Sequence, residues 1–265
     1  MAKIRLCTLF SGSNANSTYI EADGRGILID VGAGVRKLGA ELNDIGSDFG
    51  RVQAIFITHE HSDHISGLST VLRNYRIPVL APPATLRSVA FSCRDVDQSL
   101  FCPMSVGAKA VNGPFAVSSF ASSHDCVQGV GYIVDAGGVR IGMLTDTGEV
   151  SDEMLRRIAS CRALVLESNH DVAMLKKGRY PAQLKARILG SRGHLSNEQC
   201  AEALCRIDGR LDNVLLAHLS RENNLPDLAL GTVTDILSLH GIGPDKIRVN
   251  VAPASEHSAV IEYEV

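Results

Sequence analysis

Hydrophobic and polar positions follow two periods along this chain, and the switches between them mark out its elements. Apolar or alternating runs at residues 4–10, 17–21 and 26–30 predict three strands, with Asp23-Gly24 between the last two as a hairpin turn. Helical spacing predicts a helix over 35–45, an apolar run a strand over 52–58, and a second helix follows over 66–75. Strand patterns return at 116–121, 130–134 and 139–144, the last two joined by the turn-rich Asp135-Ala136-Gly137-Gly138. From there the elements alternate: helix 152–159, strand 163–167, helix 196–207, strand 214–218, helix 226–239, then closing strands at 247–251 and 259–264. Both halves run strand to helix and end strands in polar, ligand-type residues. The expected architecture is α/β, a sandwich of two sheets with helices outside and a site where strand ends converge. No repeat, low-complexity segment or long linker splits it, so residues 1–265 are expected to form one domain.

Composition limits what that site can be. The chain has 265 residues, 45% of them hydrophobic, enough for a large core. No apolar run approaches the roughly 18 residues that cross a bilayer. The stretch after Lys3 and Arg5 is too short for a signal peptide, so a soluble, cytoplasmic chain is expected. Seven cysteines, none in a C-x-x-C pair, read as reduced and mostly buried thiols rather than disulfides or a structural zinc site. Metal binding must then rest on histidine and carboxylate. A net charge of −3 gives no global bias toward nucleic acid, so any anion site is local.

The most informative stretch is Thr58-His59-Glu60-His61-Ser62-Asp63-His64, an H-x-H-x-D-H pattern directly after a strand. In an extended segment alternate residues point the same way, so His59 and His61 can grip one metal. Asp63 and His64 follow as the chain turns into a helix and can face a neighbouring ion. Further donors stand after later strands: His124, Asp146 and His218. Asp146 can bridge two ions, and Asp30, also at a strand end, can orient a ligand histidine through its ring N–H. Taken singly, His124 or His218 is more often a hydrogen-bonded or surface histidine. The ordered combination is what points to metal.

This order of motifs resembles the metallo-β-lactamase fold superfamily, whose fold is an αββα four-layer sandwich. By that resemblance His59, His61 and His124 hold one metal, Asp63, His64 and His218 the other, and Asp146 bridges. Ser11-Gly12-Ser13, Asn16-Ser17-Thr18, Glu167-Ser168-Asn169-His170-Asp171, Arg187-Ile188-Leu189-Gly190, Gly193-His194-Leu195-Ser196-Asn197 and Ala217-His218-Leu219-Ser220 narrow the likeness to the WalJ (YycJ) family. That family consists of bacterial proteins associated with 5′-to-3′ exonuclease action on double-stranded DNA. Its members commonly read Ser-Gly-Asn where this chain has Asn14-Ala15-Asn16. Losing that glycine costs about 1 kcal/mol wherever the position needs a positive φ. Cys126, close after His124, puts a thiol beside the site or serves as a small buried hydrophobe.

The implied enzyme is a dinuclear metal-dependent phosphodiesterase. Two divalent cations bring four positive charges and Asp63 and Asp146 return two negative ones, leaving a cationic site for a phosphodiester and an activated hydroxide. Manganese, zinc or iron fits such donors, with manganese the expected ion for activity. The implied catalytic residues are Asp63, Glu167 and His194; a glutamate and histidine also pair in transfer-RNA-processing members of the superfamily. His194 then protonates the departing 3′ oxygen, or alternatively positions the helix that begins near Ser196. Lys176, Lys177, Arg179, Lys185, Arg187 and Arg192 form a basic run without acids, either a phosphate-tracking patch or a solvated face. Candidate substrate contacts are Ser11, Ser13, Asn16, Lys185, Arg187, Asn169 and His170, the N-terminal ones otherwise an ordinary polar turn. The expected partner is double-stranded DNA, with no membrane and no obligate protein partner. Competing readings are a small or cyclic phosphodiester hydrolase of the same fold, and a binding module without chemistry.

Overall fold

A computed structural model describes residues 3–207 and 211–264. The first sheet contains β1 (Lys3–Gly12), β2 (Ala15–Ala22), β3 (Arg25–Ile29), β4 (Val52–Phe56), β5 (Val79–Ala81) and β6 (Phe101–Pro103). Its connections carry α1 (Val35–Asp44), α2 (Ser62–Ile65), α3 (Leu68–Tyr75) and α4 (Pro83–Ser92). The second sheet contains β7 (Lys109–Asn112), β8 (Phe115–Ala121), β9 (Val130–Ala136), β10 (Val139–Leu144), β11 (Ala163–Glu167), β12 (Asn213–Ala217) and β13 (Arg248–Val251). Between and after these lie α5 (Asp152–Ile158), α6 (Val172–Lys177), α7 (Ala182–Leu189), α8 (Asn197–Cys205) and α9 (Pro226–Leu239). Strand β14 (Ile261–Glu264) returns to pair antiparallel with β1, so the sheet orders are 14-1-2-3-4-5-6 and 13-12-11-10-9-8-7.

Each sheet is antiparallel at one side and parallel at the other: β3 through β6 run parallel, as do β10 through β13. The inner parallel strands β3, β4, β11 and β12 are buried on both faces over most of their length, and their sequences are largely apolar runs. Ile27 and Ile29 point to the other sheet while Leu28 points to the helices; Ala54 and Phe56 flank Ile55 in the same way. In the second sheet Val165 and Leu215 face inward, and Leu164, Leu166, Val214 and Leu216 pack under the helices. Three apolar layers therefore separate four structural ones, the αββα sandwich. Between the sheets Phe56 meets Tyr132 edge-on with ring centroids 5.6 Å apart, and the Tyr132 hydroxyl donates to the Ile57 carbonyl at 2.7 Å.

The predicted turn at Asp23-Gly24 forms with positive φ at both residues (52° and 71°), the two-residue hairpin geometry. The predicted helix over 66–75 forms as α3 from Leu68, and a separate short helix, α2, precedes it inside the histidine loop, with Ser66 and Gly67 between them. A side chain at Gly67 would put its Cβ 1.8 Å from the Ala33 carbonyl oxygen, so only glycine lets the start of α3 pack against the loop after β3. Strands β5, β6 and β7 and helices α4, α6 and α7 fall in segments for which no element was predicted; at three to four residues the strands are too short to show a period.

Truncating Phe56 to Ala is expected to cost about 3–5 kcal/mol, read by chemical denaturation with an unchanged m value. A loss under about 1 kcal/mol is incompatible with Phe56 filling the space between the sheets.

Candidate metal centre

The polar residues at strand ends gather at one edge of the sandwich. Asp30 follows β3, residues 57–61 link β4 to α2 and carry His59 and His61, α2 itself carries Asp63 and His64, His124 follows β8, Asp146 follows β10, Glu167 closes β11 and His218 follows β12. Asp30, Asp146 and His218 have left-handed backbones (φ 62°, 55° and 57°), three of the five such non-glycine residues described. That conformation costs about 1–3 kcal/mol per residue and persists only where surroundings over-determine it. Here they do: Val31 N–H donates to the His64 carbonyl at 2.8 Å, Gly67 N–H to the Val31 carbonyl at 3.0 Å, and His218 N–H to Ser11 Oγ at 2.9 Å. At Gly32 a Cβ would lie 1.8 Å from the Asp63 carbonyl oxygen, so the loop after β3 lies directly against the histidine loop.

Most of the rings are held from behind through Nδ1. Asp30 Oδ2 takes His64 Nδ1 at 2.8 Å, the Gly193 carbonyl takes His124 Nδ1 at 3.0 Å, and Glu167 Oε1 takes His218 Nδ1 at 2.9 Å and His194 Nδ1 at 2.7 Å. When the rings of His64, His124 and His218 are neutral, these contacts put the proton on Nδ1 and turn Nε2 inward as a lone pair. Asp30 is fixed in turn by Thr58, whose N–H and Oγ1 both donate to it at 2.8 Å. His59 Nε2 and His61 Nδ1 face each other at 3.0 Å, and both rings stand 5.1 Å from that of His124.

Donor atoms of His59, His61 and His124 lie within 4.8 Å of one another, as do those of Asp63, His64 and His218. Asp146 joins the groups. It clusters with His59 and His64, and its Oδ1 is 3.5 Å from His218 Nε2 and 3.8 Å from His124 Nε2. All of these side chains except Asp63 and His61 are buried.

Burial disfavours charge on all of these groups, and close pairing decides which retain it. Burial and the neighbouring His64 hold His59 well below the usual imidazole range. His64 is driven the other way, since Asp146 and Asp30 outweigh its burial, and Asp146 with Asp63 and Glu167 lifts His218 to about 10. Burial also opposes ionisation of Glu167, but His194 and His218 outweigh it and bring the carboxyl to about 2. Asp63 and Asp146 are likewise held ionised, their burial outweighed by His218 and His64.

This donor set fits divalent cations. Nitrogens that would otherwise repel are aimed at common points, carboxylates stand between them, and buried Asp146 Oδ2 makes no hydrogen bond although His64 Nε2 is 3.3 Å away. Imidazole and carboxylate oxygen suit several such metals, so the residues alone select none.

The structure sorts the remaining candidates. A cleft of about 260 Å³ over the cluster is lined by Ser13, Asn169, Arg187 and His194, and also by Tyr180, Leu184 and Ile188. Those last three come from α7 and the turn before it, a wall no sequence pattern announced. Arg187 reaches the cleft paired to Asp125 (Nη2 to Oδ1, 2.9 Å), and Arg192 Nη2 supports the His124 carbonyl at 2.9 Å. Lys185 is away from the lining, donating to the Lys176 carbonyl at 2.7 Å. Ser11, Asn16 and His170 are buried. Ser11 supports His218, Asn16 Nδ2 lies 3.1 Å from both Asp63 Oδ2 and His64 Nε2, and both His170 ring nitrogens lack partners. Neither Asn14 nor Ala15 takes a positive φ, so the glycine of the resembling family is not required there. Cys126 is half-buried outside the cleft lining, and burial pushes its thiol up to about 11. Helix α8 is capped by Ser196 and Gln199, without His194. Glu167 does more than pair with His194. It orients His218 as well, and its Oε2 accepts Thr147 N–H at 2.9 Å and Leu195 N–H at 3.3 Å.

The chain matches the family model described as a beta-lactamase superfamily domain over residues 25–219. It is similar to Exodeoxyribonuclease YycJ of Bacillus anthracis, 36% identical with 91% of each chain covered. It is also similar to Exodeoxyribonuclease WalJ of Streptococcus pneumoniae, 37% identical over 89% of this chain and 88% of that one. Among solved structures, the metallo-β-lactamase fold protein YhfI of Bacillus subtilis aligns with a TM-score of 0.75 at 15% identity, covering 99% of this chain and 100% of that one.

Exchanging Asp30 for Asn removes the charge behind His64 at nearly constant shape. Competition titration of the metal-free protein is expected to show about 10–100-fold weaker divalent-metal affinity. Unchanged affinity contradicts the coupling of Asp30 to a ligand.

Proposed function

The chain belongs to the beta-lactamase superfamily domain family and, within it, to the family of the YycJ and WalJ exodeoxyribonucleases; from this we propose that it is a metal-dependent exonuclease that hydrolyses DNA from 5′ to 3′. The observation that carries the reading is the converging donor set beneath an open cleft. His59, His61 and His124 would hold one ion and Asp63, His64 and His218 a second, with Asp146 between them. When bound, divalent cations bring the pKa of water toward neutrality and stabilise charge on an attacked phosphodiester.

The chain's own residues supply the rest. His194 presents a ring that is 15% exposed to the cleft, with Nδ1 bound to the buried Glu167. Burial opposes charge on that ring, and Glu167 raises its pKa in spite of it, so a proton is kept at Nε2 for the 3′ oxygen of the leaving nucleoside. Arg187, Ser13 and Asn169 on the cleft lining are suited to hold phosphate oxygens, with Arg187 kept in place by Asp125. Tyr180, Leu184 and Ile188 give the cleft an apolar wall that restricts water around the reacting group. Double-stranded DNA is the proposed substrate and manganese the proposed ion.

Metal-free protein re-supplied with one cation at a time, on end-labelled duplex and single-stranded DNA and RNA, is expected to yield a ladder shortening from 5′ ends of duplex DNA, fastest with manganese. Turnover of small diesters with no DNA degradation contradicts the assignment. His194→Ala is expected to lower kcat about 10²–10⁴-fold at unchanged metal content; full turnover in that variant removes His194 from catalysis.

A further inference from the structure

A second cavity, of about 570 Å³, opens on the far side of the turn between β1 and β2. Residues adjacent in sequence line the two spaces: Ser13 and Ser220 face the metal cleft, Asn14 and Arg221 the second cavity. The turn between β1 and β2 and the loop after β12 thus contribute residues to both spaces.

The charge of this cavity has one sign. Arg36, Lys37 and Arg221 line it, and no carboxylate does. Among the described residues none of these three forms an ion pair, and their one side-chain hydrogen bond is from Arg221 Nη2 to Ser255 Oγ at 3.1 Å. Cations of the basic run nearer the cleft are already engaged, Arg187 by Asp125 and Arg192 by the His124 carbonyl. Helix α1 also begins here, with Gly34 as an N-cap that offers no side-chain acceptor and no acid in its first turn. Arg36 and Lys37 in that turn oppose the helix dipole, a penalty that an anion in the cavity removes. Of the lining side chains only Phe10 is aromatic, and it is buried, so the cavity has no exposed platform for stacking bases.

We infer that this cavity seats the sugar-phosphate backbone of the strand being digested, with Arg36, Lys37 and Arg221 on its phosphates. The inference rests on the exonuclease reading and deepens it. It makes the substrate a polynucleotide strand spanning both cavities and gives the contacts a sequence-independent character.

The test uses full-length, metal-loaded protein. The double variant Arg36→Ala/Lys37→Ala and the single variant Arg221→Ala are compared with Lys246→Ala/Arg248→Ala, which removes the same charge as the double variant at the opposite end of β13. Binding of single-stranded and duplex oligonucleotides is measured against salt, and degradation is followed as KM and kcat. In the cavity variants the slope of log affinity against log salt is expected to fall by about 0.7 per lost contact on single strands. KM is expected to rise on the order of tenfold, more than kcat falls, while the control follows wild type. Wild type that degrades DNA while both cavity variants keep its slope and KM overturns the cavity assignment alone, as does an equal change in the control. Wild type that neither binds nor degrades DNA overturns this inference together with the exonuclease reading.

Discussion

Glu167, fully buried at the end of β11, receives ring N–H groups from His194 and His218 on one oxygen and backbone N–H groups from Thr147 and Leu195 on the other. A buried carboxylate is tolerable only when its acceptor capacity is filled, and here the filling groups come from three separate segments, around Thr147, His194–Leu195 and His218. Asp30 does the same for Thr58 and His64. These two carboxylates fix the tautomers that turn imidazole lone pairs inward, so the inner donor set depends on an outer one that never faces the cleft.

The sandwich makes this geometry possible. Parallel strands of both sheets end along one edge, where left-handed residues at Asp30, Asp146 and His218 redirect the chain at a cost of about 1–3 kcal/mol each. Continuous apolar runs on both faces of β4, β11 and β12 anchor those strand ends against three packed layers, which offset the strain. Glycines at 32 and 67 then let the loops after β3 and β4 approach to backbone contact.

Much of this was legible in the sequence, for identifiable reasons. The long elements α1, α9, β10 and β11 match the residues their apolar periods mark out, and the histidine motif announces itself because its spacing is rare. The structure brings His124, Asp146 and His218 to the His59–His64 loop, where strand-end position placed them. Other features left no local signal. Helices α6 and α7 lie in a stretch whose charges dominate its apolar pattern, so the cleft wall of Tyr180, Leu184 and Ile188 went unseen. The burial of Ser11 and Asn16 against His218, Asp63 and His64 depends on long-range pairing, which a polar turn does not reveal. The double duty of Glu167 likewise arises from β11 and β12 lying side by side.

We propose that donors scattered from His59 to His218 hold divalent ions together. Anomalous diffraction from crystals of the metal-loaded protein measures this directly. Two peaks are expected, one within bonding distance of His59, His61 and His124 and one within bonding distance of Asp63, His64 and His218, with Asp146 reaching both. Density at neither position, or ions bound only elsewhere on the chain, contradicts it.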